Sequence, residues 1–414
     1  MHEPRGRSLA VVTPWYPNVN NPFAGSFVQS TVEAVADRFE SVLILHAEDW
    51  PTPGDRVGSA VIRGLTRRLV GAEGARVPIR PVRTPEGDLI RVPAPVVPAR
   101  DYAQHARTHE SALRNVLPGG VIDADVVHGH VGTYGGWAAV QLARPGARVF
   151  VTEHATFLDR ILAQRPARDL YDQVLARCTG FFCVSDVLRR KVLDYFPHHE
   201  TKVSVVPNAV AVERIPMRPD PVRRLSRWLY LGRLLPHKGV WRLLEAFAVC
   251  AEDDPDLELT MVGGGPLRDG LAARASELGL GGRVHLPGPV PHEEVVRQLH
   301  AADLLVHLSE YETFGMTVVE AVASGLPALV TRSGGPEETL AGLEEIAGAT
   351  VPVSTSVVEV VRAYRSLRER LPDLDLPHAR EQLTARYGMR AVGDQLMARY
   401  LGHDGPETPE VLTR

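Results

Sequence analysis

Apolar residues along this chain fall into short runs, separated by stretches where they recur every third or fourth position. Short runs bounded by turn residues predict buried strands, and the longer spacing predicts helices that pack on them. Their alternation predicts βαβ units and parallel sheets. In the first half, strands are expected at Leu9–Thr13, Ser41–His46, Leu89–Val92, Asp125–His128, Val149–Thr152, Gly180–Val184 and Val203–Val206, with a helix from Val28 to Phe39. In the second half they are expected at Trp228–Gly232, Leu257–Val262, Val284–Leu286, Leu304–Leu308 and Ala328–Thr331. Helices there are expected over Val240–Ala251, Val357–Arg370 and Met389–Leu401.

One stretch organises the rest. Ser309 to Gly325 reads as a loop leaving the Leu304–Leu308 strand and a helix from Met316 to Ser324, stopped by Gly325 and Pro327. Val318, Val319 and Val322 form its core face, which leaves Glu320 on another side. The N–H groups of Gly315, Met316 and Thr317 and the helix dipole make an anion site. Glu312 and Glu320 bracket it, an arrangement suited to a ligand with both phosphate and hydroxyls. The same glutamates could instead be dipole-compensating surface groups.

The chain has 414 residues, which predicts two domains. The expected parts are 1–212, 213–388, a final helix 389–402 and a tail 403–414, divided where Val205–Val210 gives way to the Pro/Arg-rich Arg214–Arg224. A net charge of −4 gives no general attraction to nucleic acid. Cys178, Cys183 and Cys250 make no paired framework, as in a reducing compartment. No secretory signal and no membrane-spanning run is read, so a cytoplasmic location is expected. Residues 61–91 hold seven arginines against three acids. Arg63, Arg67 and Arg68 beside Ile62, Leu65 and Leu69 form either a solvated helix or a basic face for peripheral membrane contact.

Other chemistry gathers at strand ends, where open α/β sheets build their sites. Pro14–Phe27 is a Pro/Asn/Gly-rich loop in which Gly25 and Ser26 would offer N–H groups to a phosphate or sugar. His128, His130 and His154 are a possible metal set, one basis for a rival hydrolase reading. Asp123 and Asp125 precede their strand and read as a turn. Arg233 and Lys238 flank a loop after Trp228–Gly232, where two cations can neutralise a diphosphate leaving group without a metal. Gly263 and Gly265 end the next strand, allowing either close backbone approach to a ligand or tight packing.

Taken in order, VVPNAV, GRLLPHKG, MVGGGPLR, ADLLVHLSEYETFGMTVVEAVASGLP and SGGPEE resemble the retaining glycosyltransferases of the GT-B fold, a family that includes sucrose and glycogen synthases and bacterial mannosyl- and N-acetylglucosaminyltransferases. TPWYPNVNNPFAGSFV, DVVHGH and VTEHATFL are similar to that family's first-domain loops, although Ala24-Gly25-Ser26 stands where many relatives have paired glycines. The resemblance implies an α/β protein with two Rossmann-like parallel-sheet domains facing a central cleft. It implies a nucleotide-sugar donor, a UDP-sugar most commonly, and a small-molecule or glycan acceptor, with no cofactor and no divalent metal. Arg233 and Lys238 would hold the diphosphate as it leaves, and Glu320 the ribose. Glu312 with Phe314, Gly315, Met316 and Thr317 would contact sugar hydroxyls and phosphates. Gly25, with Ser26 beside it in the donor site, would lie under the diphosphate or sugar, His154 would approach the donor sugar, and Met389–Leu401 would cross back to the first domain. The many Arg, Ala, Val, Gly and Pro residues resemble the products of GC-rich genomes, a setting in which an antibiotic or other secondary-metabolite acceptor is expected. A lipid-linked or polysaccharide acceptor, a nucleotide-sugar 2-epimerase and a nucleotide-sugar sensor are the remaining readings.

Overall fold

The computed structural model describes residues 7–18, 21, 23–51, 60–61, 64, 80–96 and 101–402. Arg63, Arg67 and Arg68 lie outside them. The chain divides into two compact units. The first holds the described residues up to Ala209 and those from Val392 onward; the second runs from Val210 to Ala391. Both are parallel-sheet α/β units.

The first unit carries β1 (Ser8–Thr13), β2 (Ser41–Pro51), β3 (Val82–Arg83), β4 (Asp88–Val96), β5 (Val126–His130), β6 (Arg148–Glu153), β7 (Gly180–Cys183) and β8 (Val203–Val205). Their order is β3-β4-β2-β1-β5-β6-β7-β8, parallel except for β3 against β4. Two helices matter below: α1 (Ser26–Ala36) and α2 (Tyr102–Val116). Strands β2 and β4 run further than expected, through Pro51, Pro93 and Pro95. Past His46, β2 pairs with β4 alone, and β3 reaches only Asp88 and Leu89 of β4. Proline is tolerated in such one-sided stretches because the missing N–H breaks no ladder. Asp125 sits at the N-terminal end of the sheet, accepting from Ser8 N–H at 2.9 Å and from Arg144 at 2.6 Å. It ties strand starts together, as a turn residue would.

The second unit carries β9 (Arg227–Leu231), β10 (Glu258–Val262), β11 (Val284–Gly288), β12 (Leu304–His307), β13 (Ala328–Thr331) and β14 (Gly348–Val351), in the order β11-β10-β9-β12-β13-β14. Strand β14 was not anticipated, since Gly348-Ala-Thr-Val is too short and small to register as an apolar run. Helix α3 (Val240–Asp253) buries Val240, Leu243, Leu244 and Phe247, the spacing of one helical face. Trp228 anchors this core, edge-on to Phe247 and to Tyr364 at 5.7 and 4.8 Å. Helix α4 (Met316–Ala323) follows β12 and buries Val318, Val319 and Val322, each worth roughly 1.5–3 kcal/mol.

The last helix, α5 (Met389–Leu401), belongs to the first unit from Val392 on. Tyr400 is buried there, with its hydroxyl 2.5 Å from His128 Nδ1 and its carbonyl accepting from Arg148. Among the described residues, no helix is long and apolar enough to cross a membrane.

Candidate active site

In the second unit the strand order reverses between β9 and β12, which are hydrogen-bonded neighbours in parallel. At such a switch point the loops leaving the two strands separate to opposite faces and open a crevice at the strands' carboxyl ends. The loop after β9 carries Arg233 and Lys238; the loop after β12 carries Glu312. They are joined directly: Glu310 N–H donates to His237 O at 2.8 Å, and Lys238 Nζ donates to Glu312 Oε2. Gly239 makes this approach possible. Its φ is +67°, and a Cβ there would lie 1.9 Å from the Leu308 carbonyl oxygen.

Glu312 is further held by its backbone, bonded to Ser333 and Gly335. His307 Nε2 lies 3.6 Å from its carboxylate and 2.9 Å from Ser309 Oγ. Burial alone would raise this carboxyl, but the neighbouring His307 imidazole and the Lys238 charge outweigh it and hold the group down at about 2. Arg233 is exposed, and among the described residues its guanidinium meets no acceptor. Burial, then the charges of Lys238 and Arg233, push the neighbouring His237 below its ordinary range. The phenol of Tyr230 is raised by burial and then by Glu312, with Arg233 opposing. Arg233, Lys238 and Glu312 therefore share one electrostatic neighbourhood. His307 and Ser309 were missed in the sequence; a histidine inside an otherwise apolar strand is the signal that could have found them.

Glu320 stands apart from these three. It is partly buried on α4, and among the described residues its carboxylate has no hydrogen-bond or ion partner. Burial pushes it up to about 7. The start of the helix is equally open: Gly315 has φ +98° and no side chain caps the first turn. The N–H groups of Met316 and Thr317 thus keep the orphan character of a helix start. Phe314 is buried edge-on to Tyr387 at 5.2 Å, so its side chain seats the loop instead of facing a ligand.

The glycines after β10 have a packing reason of their own. A Cβ on Gly263 would fall 1.9 Å from Gly232 O, and one on Gly265 2.4 Å from Leu234 O. Both are needed so that the loops after β9 and β10 can pack. In the first unit, Gly25 caps α1 with φ +69°, and its Cβ would fall 2.3 Å from Trp15 O. Ser26 opens that helix without a side-chain cap.

His154 follows β6. Its Nε2 lies 2.9 Å from His130 Nδ1, and its ring packs on Phe27 at 4.5 Å. Burial pushes His154 down to about 3, so it is neutral. Both nitrogens of His128 are engaged, by Tyr400 and by Thr152 Oγ1. His130 and His154 are thus joined by a hydrogen bond while both His128 nitrogens are engaged elsewhere, so the three rings do not share one point of coordination. Glu153 accepts from the N–H groups of Gly132, His154 and Ala155 and from Tyr171 Oη. That carboxylate fastens the loop.

Residues 24–214 match the model of Glycosyltransferase Family 4, and residues 225–371 match that of Glycosyl transferases group 1. Among relatives, the phosphatidylinositol N-acetylglucosaminyltransferase GPI3 subunit of Saccharomyces cerevisiae is 27% identical over 274 residues, 64% of this chain. The match spans only 60% of that relative's own length. The 2-deoxystreptamine glucosyltransferase of Streptomyces kanamyceticus is 28% identical over 268 residues, 61% of this chain and 68% of the relative. Sucrose-phosphate synthase from Thermosynechococcus elongatus superposes with a TM-score of 0.70 at 18% identity, covering 96% of this chain and 99% of the other, a likeness of fold. With both models matched in sequence order over both units, the chain belongs to the GT-B glycosyltransferases.

Proposed function

We propose that this protein transfers a sugar from a nucleotide-sugar to an acceptor hydroxyl with retention of configuration, and that its own cations, without a divalent metal, stabilise the leaving diphosphate. The observation that carries this reading is the set of groups at the β9/β12 switch point: three open ones, the unpaired Arg233 guanidinium, the uncapped start of α4 and the unpartnered Glu320, beside the Lys238–Glu312 ion pair. As the bond to the anomeric carbon breaks, negative charge collects on the diphosphate. Arg233, Lys238 and the N–H groups of Met316 and Thr317 meet that charge, which lowers the barrier because it is larger in the transition state than in the bound donor. Glu320 accepts hydrogen bonds from the ribose hydroxyls. Glu312, kept ionised, orients the transferred sugar and the Lys238 ammonium. Glu153 holds four hydrogen bonds and is not free as a nucleophile. That favours a same-face displacement over a covalent sugar–enzyme intermediate.

For the acceptor, the named activity of the Streptomyces relative favours an aminocyclitol or other natural-product core. The named activity of the yeast relative favours a lipid-linked acceptor as the second reading. The test is incubation with UDP-, GDP- and dTDP-sugars and each acceptor class in EDTA, with mass detection of products. Transfer to one class with release of nucleoside diphosphate is expected. Conversion of donor alone into its 2-epimer, or dependence on added divalent ion, would contradict the proposal.

A further inference from the structure

Outside the donor machinery, two histidines and an aspartate converge on one point of the first unit. His105 and His109 sit four positions apart on α2, the spacing that stacks side chains on one helix face. Both Nε2 atoms point to the same oxygen of Asp49 near the end of β2, His105 at 2.9 Å and His109 at 2.6 Å. All three donor atoms lie within 4.8 Å of one another. Tyr134 packs against both rings at 4.7 and 5.5 Å, fixing their planes. His109 is buried, with 2% of its side chain exposed, and His105 nearly so at 12%, while Asp49 remains open at 43%. Arg91 is bonded to His46 Nδ1 and the Pro17 carbonyl, and among the described residues it forms no ion pair with Asp49.

From this geometry we infer that Asp49, His105 and His109 form a binding site for a first-row transition-metal ion, zinc by preference. Two imidazoles and one carboxylate suit zinc, cobalt or nickel and are poor for magnesium or calcium, which take oxygen ligands. Each ring would present Nε2 unprotonated, its proton carried on Nδ1. Each Nε2 would move away from the Asp49 oxygen by roughly 0.4–1 Å to meet bonds of about 2.0–2.2 Å in a tetrahedral arrangement. A fourth position opens toward solvent beside Asp49, free for water or an oxygen of a bound molecule. The ion would pin α2 to the end of β2. It lies outside the groups assigned to sugar transfer, so its presence and that of the transferase activity are separate questions.

The test uses untagged full-length protein stripped with chelator and titrated with Co²⁺, read by visible absorbance, and with Zn²⁺, read by melting temperature. One equivalent of cobalt should give the intense visible bands of a low-coordinate site, and zinc should raise the melting temperature. Both signals should be lost in Asp49→Asn and in His105→Gln, whose side chains are the more accessible members. Asp172→Asn serves as the control. It removes the carboxylate of a more exposed Asp172–His198–His199 cluster and should leave both signals intact. No cobalt bands in the wild type would overturn the inference. So would bands that persist in both first-cluster variants, or that vanish only with Asp172→Asn.

Discussion

Arg233 and Lys238 have the same expected role but different structural debts, and mutation should separate them. Arg233 is exposed and unpaired, so Arg233→Ala should leave the melting temperature within a degree or so while lowering kcat/KM by about 10²–10³, the scale of losing one transition-state donor. Lys238 is nearly buried against Glu312, so Lys238→Ala leaves that carboxylate without its cation. It should cost activity and also destabilise the fold by about 3 kcal/mol, as for breaking a buried pair. Equal effects of the two variants on stability, read by denaturant unfolding, would contradict this contrast. Glu320 makes a pH prediction. Its carboxyl is raised to about 7, so between its ordinary range and pH 7 the folded state holds a proton that the unfolded state has lost. Stability contributed by this group therefore falls as pH rises through that window. Glu320→Gln should be more stable than wild type at pH 8 by about 1–3 kcal/mol given partial exposure, read by denaturant unfolding, with the gap closing by pH 4.5. A variant that is no more stable than wild type at pH 8 would show that burial does not act on Glu320 as argued.

At the scale of elements, the site depends on backbone approach as much as on side chains. Gly239 lets the turn after β9 rest against the end of β12, with left-handed φ and the Leu308 carbonyl where a Cβ would stand. Gly239→Ala should destabilise the second unit by more than the ~1 kcal/mol of a simple left-handed penalty, because backbone must also move. It should weaken nucleotide binding as the Lys238–Glu312 contact opens; a variant with native melting temperature and binding would refute the packing argument. The strands around this loop were legible because buried parallel strands are unbroken apolar runs. Helix α4 was legible because valines mark one face and Gly325 its end. Strand β14 was not, since its residues gain strand character only by pairing with β13. Nor was the packing partner of Gly263 and Gly265 legible: sequence shows a glycine, but not that the backbone of Gly232 and Leu234 lies where a Cβ would stand. The His105/His109 pair had a readable helical spacing, but the oxygen they share comes from Asp49, more than fifty residues away, and pairing across that distance is not legible.

For the whole molecule, the two α/β units and their sheet orders follow from alternating apolar and amphipathic segments, and the family models match in the same order along the chain. Composition could not say that Tyr400, near the end of the described chain, would lie buried on His128 of β5. The central claim is that the β9/β12 crevice of the second unit holds the donor's nucleoside diphosphate, the phosphates through Arg233, Lys238 and the start of α4 and the ribose through Glu320. Titration calorimetry with UDP, GDP and dTDP in EDTA, on wild type, Arg233→Ala and Glu320→Ala, tests it most directly. One nucleoside diphosphate should bind the wild type with one-to-one stoichiometry, and each substitution should weaken it at least about tenfold, the loss of about 1.4 kcal/mol of a charged hydrogen bond. Binding of equal strength in all three proteins, or none in the folded wild type, would contradict the account.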